Sequence, residues 1–186
     1  MPALSTARMT AKQFLALGED PPGVRLELVD GEIEMSPSPM PRHSHAIMEL
    51  VFLIKAYLVE TGQAGIVLSD TDTVFGDHDV RRPDVLYFSE RRRGLVGVEA
   101  LKGPPDLAIE VISPSNERTD REIKFKLYEQ GGVAHYWIVD PMTEMLEAFR
   151  LVEGYYQKCA DGHGEGVVSA PPFEGLEISL GRLWLK

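Results

Sequence analysis

At 186 residues, with 44% hydrophobic and 26% charged side chains, the chain has the length and balance of one soluble globular domain with a sizeable core. A formal charge of −10 argues against broad nonspecific attraction to nucleic acid while leaving room for a local basic cleft. No run approaches the roughly 18 apolar residues of a membrane span, the N-terminus lacks the features of a signal peptide, and a single cysteine, Cys159, suits a reducing compartment, so the expected location is the cytoplasm with no membrane contact.

In chain order, Thr10-Ala-Lys-Gln13 has the form of a capping box and predicts a short helix over 11–17, stopped by Gly18. Alternation on both sides of Asp30-Gly31 predicts a hairpin with a two-residue turn. After a proline-rich link, Ile47, Leu50, Val51, Ile54 and Leu58 recur at helical spacing until Gly62. Two strands are expected near 66–75 and 84–88, joined through Gly76-Asp-His-Asp79, and a third follows in Asp106-Leu-Ala-Ile-Glu-Val-Ile-Ser-Pro-Ser115. Ser113 to Asn116 turns into a helix whose start is written as a second capping box, Thr119-Asp-Arg-Glu122, and whose end is Gly131-Gly132. His135-Tyr-Trp-Ile-Val-Asp140 is a further strand, and the remainder reads as a small antiparallel extension. The order is that of a mixed α/β domain spanning 1–186 around one sheet.

Chemistry concentrates in the third strand. A run buried on both faces carries one acid, Glu110, and an ionised carboxylate there is expensive unless it is paired, hydrogen-bonded or bound to a metal. Upstream, Asp84 opens another apolar run, so two acids on two core strands are placed to face one another. Such a pair can hold Mg²⁺, which prefers oxygen ligands. Lys124, just over one turn past Thr119, then lies near the end of the Glu110 strand, where an ammonium can orient or help deprotonate water and stabilise charge on a phosphoryl oxygen. Together these would cut phosphodiesters with metal-activated water.

At these residues the chain resembles the PD-(D/E)xK nuclease superfamily and, more closely, its Uma-type restriction endonuclease family. Arg82-Pro-Asp84 and Pro104-Pro-Asp-Leu-Ala-Ile-Glu-Val-Ile-Ser-Pro-Ser115 carry the likeness. Leu26-Glu-Leu-Val-Asp-Gly-Glu32, His45, Asp120, Lys124, Tyr128, Gly132-Val133 and Tyr136-Trp-Ile-Val-Asp-Pro141 extend it in order. The resemblance implies a restriction endonuclease-like core, a mixed sheet flanked by helices, here with an N-terminal hairpin and a C-terminal antiparallel extension. It implies a Mg²⁺-dependent endonuclease, with Mn²⁺ a possible substitute. Asp84 and Glu110 would be its ligands, the Val111 carbonyl a third, and Lys124 the catalytic cation. The superfamily pattern puts lysine two residues after the acid, where this chain has Ile112; in the Uma-type family that lysine is placed on the following helix. Cutting both strands of double-stranded DNA calls for two sites, and a twofold homodimer matches that symmetry, with Trp184 in the C-terminal extension available for an interface. The alternative is a nucleic-acid binding or interaction module that keeps the fold without cleavage.

Other residues have plainer readings. Without the resemblance, Asp84 reads as a strand-end carboxylate bonded to turn amides, Glu110 as the partner of a buried arginine, and Lys124 as a solvated helix lysine. His43 and His45 cannot share one helix face, and His45 is the better candidate to approach the site from the helix start. Asp70, Asp72, Asp77 and Asp79 do not form a calcium loop and read as solvated carboxylates. Arg81, Arg82, Arg91, Arg92 and Arg93 form a basic cluster suited to backbone phosphates. Tyr128, Trp137 and Ile138 read as core or interface.

Overall fold

Thr10 starts the first helix, α1 (Ala11–Leu15), on a complete capping box: its hydroxyl accepts from the Gln13 amide at 3.3 Å while the Gln13 side chain accepts from the Thr10 amide at 2.8 Å. The computed structural model describes residues 8–114 and 116–186, so Ser115, which closes the motif of the Glu110 strand, lies outside the described residues. Strands β1 (Val24–Val29) and β2 (Glu32–Pro37) pair with Val29 opposite Glu32. Their turn is therefore Asp30-Gly31, with φ of 49° and 82°, the two left-handed positions of a tight hairpin turn. Helix α2 (Pro41–Thr61) begins with Pro41 in its first turn and is closed by Gly62 at φ 68°.

The strand expected over 66–75 is two strands in different sheets. Chain direction changes at the polar interruption Ser69-Asp-Thr-Asp72, where Asp70 takes φ 49°. β3 (Gly65–Leu68) lies before it; β4 (Thr73–Gly76) and β5 (Asp79–Arg81) lie after it and join the hairpin in a four-stranded sheet, β2-β1-β5-β4. β6 (Val85–Ser89), β7 (Leu107–Val111), β8 (His135–Asp140), β9 (Met145–Val152) and β10 (Tyr155–His163) complete a six-stranded mixed sheet in the order β10-β9-β8-β7-β6-β3. The expected C-terminal antiparallel extension is β9 and β10, which continue the central sheet antiparallel from β8. Only β11 (Val167–Val168) and β12 (Ile178–Ser179) stand apart as a small pair.

β7 and β8 are parallel, so the chain between them must cross over, and it does so as a helix. That helix is already formed at Glu117 and Arg118, so Thr119 is not its cap as expected. A π-helical segment, Thr119–Lys124, leads into α3 (Phe125–Gln130). Alternation along β7 divides the core. Leu107, Ile109 and Val111 pack with α2 and with C-terminal residues such as Phe173, Leu183 and Trp184. Ala108 and Ile112 pack on the opposite face with Tyr128, Tyr136 and Ile138. Trp184 is 5% exposed and donates from Nε1 to the Gly164 carbonyl at 2.7 Å, which removes it from any interface role. Among the described residues no helix is long and apolar enough to cross a membrane.

Candidate active site

β6 and β7 pair with Val85 opposite Ile109 and Leu86 opposite Ala108, so one step further along the register Asp84 faces Glu110. Both acids stand on the sheet face of Ala108 and Ile112, which α3 covers, and they are 3% and 2% exposed. Asp84 Oδ2 accepts from the Val111 amide at 2.7 Å, tying the first acid to the strand that carries the second. The convergence expected from the sequence is met.

Lys124 joins them from the π-helical segment. Its Nζ lies 2.9 Å from Glu110 Oε2, 3.4 Å from Asp120 Oδ1 and 3.7 Å from Glu27 Oε1. At 4% exposure it is not a solvated helix lysine, and Glu110 has this lysine rather than an arginine as its partner. Tyr128, one helical turn beyond Lys124, donates its hydroxyl to Glu110 Oε1 at 2.6 Å and is therefore part of the site as well as the core. Asp120 and Lys124, four residues apart on this π-helical segment, lie side by side on its buried face; such segments are frequent at functional sites.

Three further groups come from elements that sequence reasoning treated as scaffolding. Arg25 on β1 places Nη1 3.2 Å from Asp84 Oδ1 and Nε 2.9 Å from Asp70, and donates from Nη2 to the Arg82 carbonyl. Glu27, two residues along, is buried beside Lys124 and accepts from the Arg82 amide at 2.6 Å. His43, in the first turn of α2, brings Nε2 to 3.2 Å from Asp84 Oδ2. The available signals were charged residues set among the leucines of a strand, and a histidine at a helix start; neither says which way a side chain points. His45 is the reverse of its expectation, since its Nε2 meets the Arg182 carbonyl at 3.0 Å, at the C-terminal segment.

The basic cluster also reads differently in three dimensions. Arg81 pairs with Asp79 and Glu27, Arg82 with Asp20 and Asp72, Arg92 with Asp106, and Arg93 with Glu90. Arg93 makes its pair at the surface and Arg91 is exposed; Asp72 and Asp79 are partly buried ion-pair partners rather than solvated carboxylates, whereas Asp70 pairs with Arg25 and stays exposed to solvent as expected.

Electrostatics follow from four carboxylates meeting in a dry place. Burial alone would raise Asp84, but His43, Arg25 and Lys124 outweigh it and bring the carboxyl down to about 2. Glu110 goes the other way: burial, with Asp120, Asp84 and Glu27 nearby, raises it well above the usual carboxylate range despite Lys124. Asp120 is raised to about 6 chiefly by burial. Burial disfavours the Lys124 charge, yet Glu110, Glu27, Asp120 and Asp84 more than compensate, so the ammonium persists and cannot serve as a base. Lys124, Arg25, Arg81 and His43 stand against these four carboxylates, whose hard oxygen donors are of the kind a divalent cation such as Mg²⁺ takes. As the side chains stand, the oxygens of Asp84 and Glu110 are taken by protein donors, and among the described residues no three of His, Cys, Asp or Glu are spaced to hold a metal. Admitting one requires Arg25 or Lys124 to yield.

Three clefts share Arg25. One, of about 200 Å³, is lined by Arg25, Glu27, Glu34, Thr119 and Lys124. A larger one, of about 500 Å³, is lined by Arg25, His43, Met40 and prolines. A third, of about 210 Å³, is lined by Arg25, His43, Asp70, Arg82 and Asp84.

Comparison with known proteins agrees with this architecture. The family model Uma2, described as "Putative restriction endonuclease", matches residues 11–181. A crystal structure from Anabaena variabilis ATCC 29413, described as a "putative nuclease belonging to DUF820", superposes with a TM-score of 0.76 at 24% identity, covering 95% of this chain and 97% of that one. No curated protein matches the chain.

Proposed function

The chain belongs to the Uma2 restriction endonuclease family, and from that premise we propose that it is a Mg²⁺-dependent endodeoxyribonuclease hydrolysing phosphodiester bonds of double-stranded DNA. One observation carries the reading: two core-strand acids converge on a buried lysine at the inner end of a cleft. Asp84 and Glu110 would hold the metal, with the Val111 carbonyl as a third ligand and Mn²⁺ as a substitute. When bound, Mg²⁺ supplies Lewis-acid charge and lowers the pKa of water.

The chain's own residues do the rest. Lys124, held as an ammonium, offsets charge developing on a phosphoryl oxygen rather than taking a proton from water. Tyr128 fixes the orientation of Glu110, and the Val111 amide and His43 fix that of Asp84. Two active sites are needed to cut both strands, which supports a homodimer. A second reading, a nucleic-acid binding module without cleavage, is favoured by the full engagement of the Asp84 and Glu110 oxygens by protein donors.

Calorimetric titration of Mg²⁺ and Mn²⁺, with and without duplex DNA, beside a plasmid-cleavage assay, separates the two. Metal binding and cleavage that both disappear in Asp84→Ala support the nuclease. Duplex binding with neither metal uptake nor cleavage supports the module.

A further inference from the structure

The larger cleft has no part in holding the acids, yet it borders them through Arg25 and His43, both in contact with Asp84. Pro37, Pro39, Met40 and Pro114 supply its walls, and among the described residues its charged or ionisable lining groups are Arg25 and His43. A ligand part resting there meets apolar faces, with Ser38 and the Asn116 amide able to hydrogen-bond its edge. Those walls suit a flat, polar-edged ring, with Arg25 and His43 on the side toward Asp84. The smaller cleft adds Lys124 to the Arg25 that both share. At about 500 Å³ the larger cleft lies within the range of roughly 300–1,000 Å³ in which proteins hold small ligands.

The carboxylates impose a second condition. Asp84 and Glu110 are 3% and 2% exposed, so a phosphodiester must enter the molecule to meet them. The smaller cleft is lined by the acids Glu34 and Glu27 as well as by Arg25 and Lys124, and Arg81, Arg82 and Arg92 are paired with acids of the chain. Arg91 and Arg93 stay exposed, so the outer surface keeps basic groups for a duplex while the acids themselves are buried. A nucleotide turned out of the stack can reach them, at a cost that is least where the base is already unpaired.

Resting on the nuclease reading, we propose that the proline-walled cleft receives one unstacked nucleobase beside the scissile phosphate, so that DNA with an unpaired or extruded base is the preferred substrate. The base sets the position of its phosphate between Arg25 and Lys124, and the wall residues act on affinity rather than on chemistry.

The test is binding of three duplexes carrying 2-aminopurine, one fully paired, one with a mismatch at the probe and one with the probe as an unpaired bulge, with Ca²⁺ in place of Mg²⁺. The bulged duplex is expected to bind at least about tenfold tighter than the paired one, consistent with unstacking costs of a few kcal/mol, with a rise in probe emission as it leaves the stack. Met40→Trp and, independently, Ser38→Trp should each fill the cleft and erase that preference while leaving paired-duplex binding as it was. Equal affinity for all three duplexes, or a preference untouched by both tryptophans, overturns the proposal even if the enzyme cuts DNA. Capture of an apolar peptide in the cleft without any preference among the duplexes overturns it too. If no duplex binds at all, the nuclease reading falls with it.

Discussion

An ammonium held against Glu110, Asp120 and Glu27 cannot be removed without leaving those carboxylates uncompensated. Lys124→Ala is therefore expected to abolish cleavage and also to cost about 3–5 kcal/mol, as breaking a buried ion pair does, where a lysine on a solvated helix face would have cost little. Lys126, exposed on the same helix, should change stability by no more than about 0.5 kcal/mol when replaced by alanine and should leave cleavage intact. Urea unfolding and a cleavage assay on both variants decide it; a neutral Lys124→Ala would refute the buried pairing. Ile112 lies two residues past Glu110 on the same sheet face, so Ile112→Lys in the Lys124→Ala background points its ammonium toward the same acids and should restore some activity. His135 gives a separate test at this scale. Burial, reinforced by Arg150 and opposed by Asp106, lowers its pKa from 6.5 to about 4, and its Nδ1 is buried without a hydrogen-bond partner. A ring kept neutral in the fold contributes stability that is present above pH 6.5 and lost as pH falls through about 4. The loss should be on the order of 1–2 kcal/mol, discounted because the ring keeps partial contact with water, and His135→Asn should flatten the fall of the urea midpoint between neutral and mildly acidic pH.

The π-helical segment is the element on which the site's geometry turns. A π turn takes about one residue more than an α turn, so an α-helix over the same residues would rotate Lys124 and Tyr128 together relative to the residues before the segment, and with them the contacts to Glu110. Deleting Glu122, whose side chain is exposed, should return the segment to α pitch. The expected product is folded, with circular dichroism close to the parent, but without cleavage and with Lys124 off the acid cluster. Retained activity would show that the π turn is not what aligns the lysine. The hairpin has a comparable duty, because it carries Arg25 and Glu27 into a site built on another sheet, and its type of turn sets the register that makes both point inward.

For the whole molecule, the C-terminal segment closes the core against α2 and the central sheet instead of offering a surface. Trp184 is buried with its Nε1 bonded, so Trp184→Ala should cost about 3–5 kcal/mol, read as a lowered urea midpoint with no change in mass. The homodimer proposed for double-strand cutting must use other surfaces. Light scattering at micromolar concentration should give twice 20.7 kDa; a monomer mass in the presence of uncut duplex DNA would count against it.

Elements with local causes were legible in the sequence. A capping box, a two-residue turn and a helical apolar repeat each act within a few residues, and α1, the β1–β2 hairpin and α2 stand where those signals put them. The pairing of Asp84 with Glu110 and the arrival of Lys124 were also readable, through the order of acids and lysine that the family shares. Sheet membership was not: 66–75 looks like one strand until the polar residues 69–72 send its halves into different sheets, and β9 and β10 look like an appendage until β8 pairs with them. Nor were Arg25, Glu27 and His43, or the engagement of Arg81, Arg82, Arg92 and Arg93 by acids. The physical reason is range. Propensity and periodicity are local, whereas a charge's partner, and with it the cost of burying that charge, is chosen among residues distant in sequence that only the packed chain brings within about 3–4 Å.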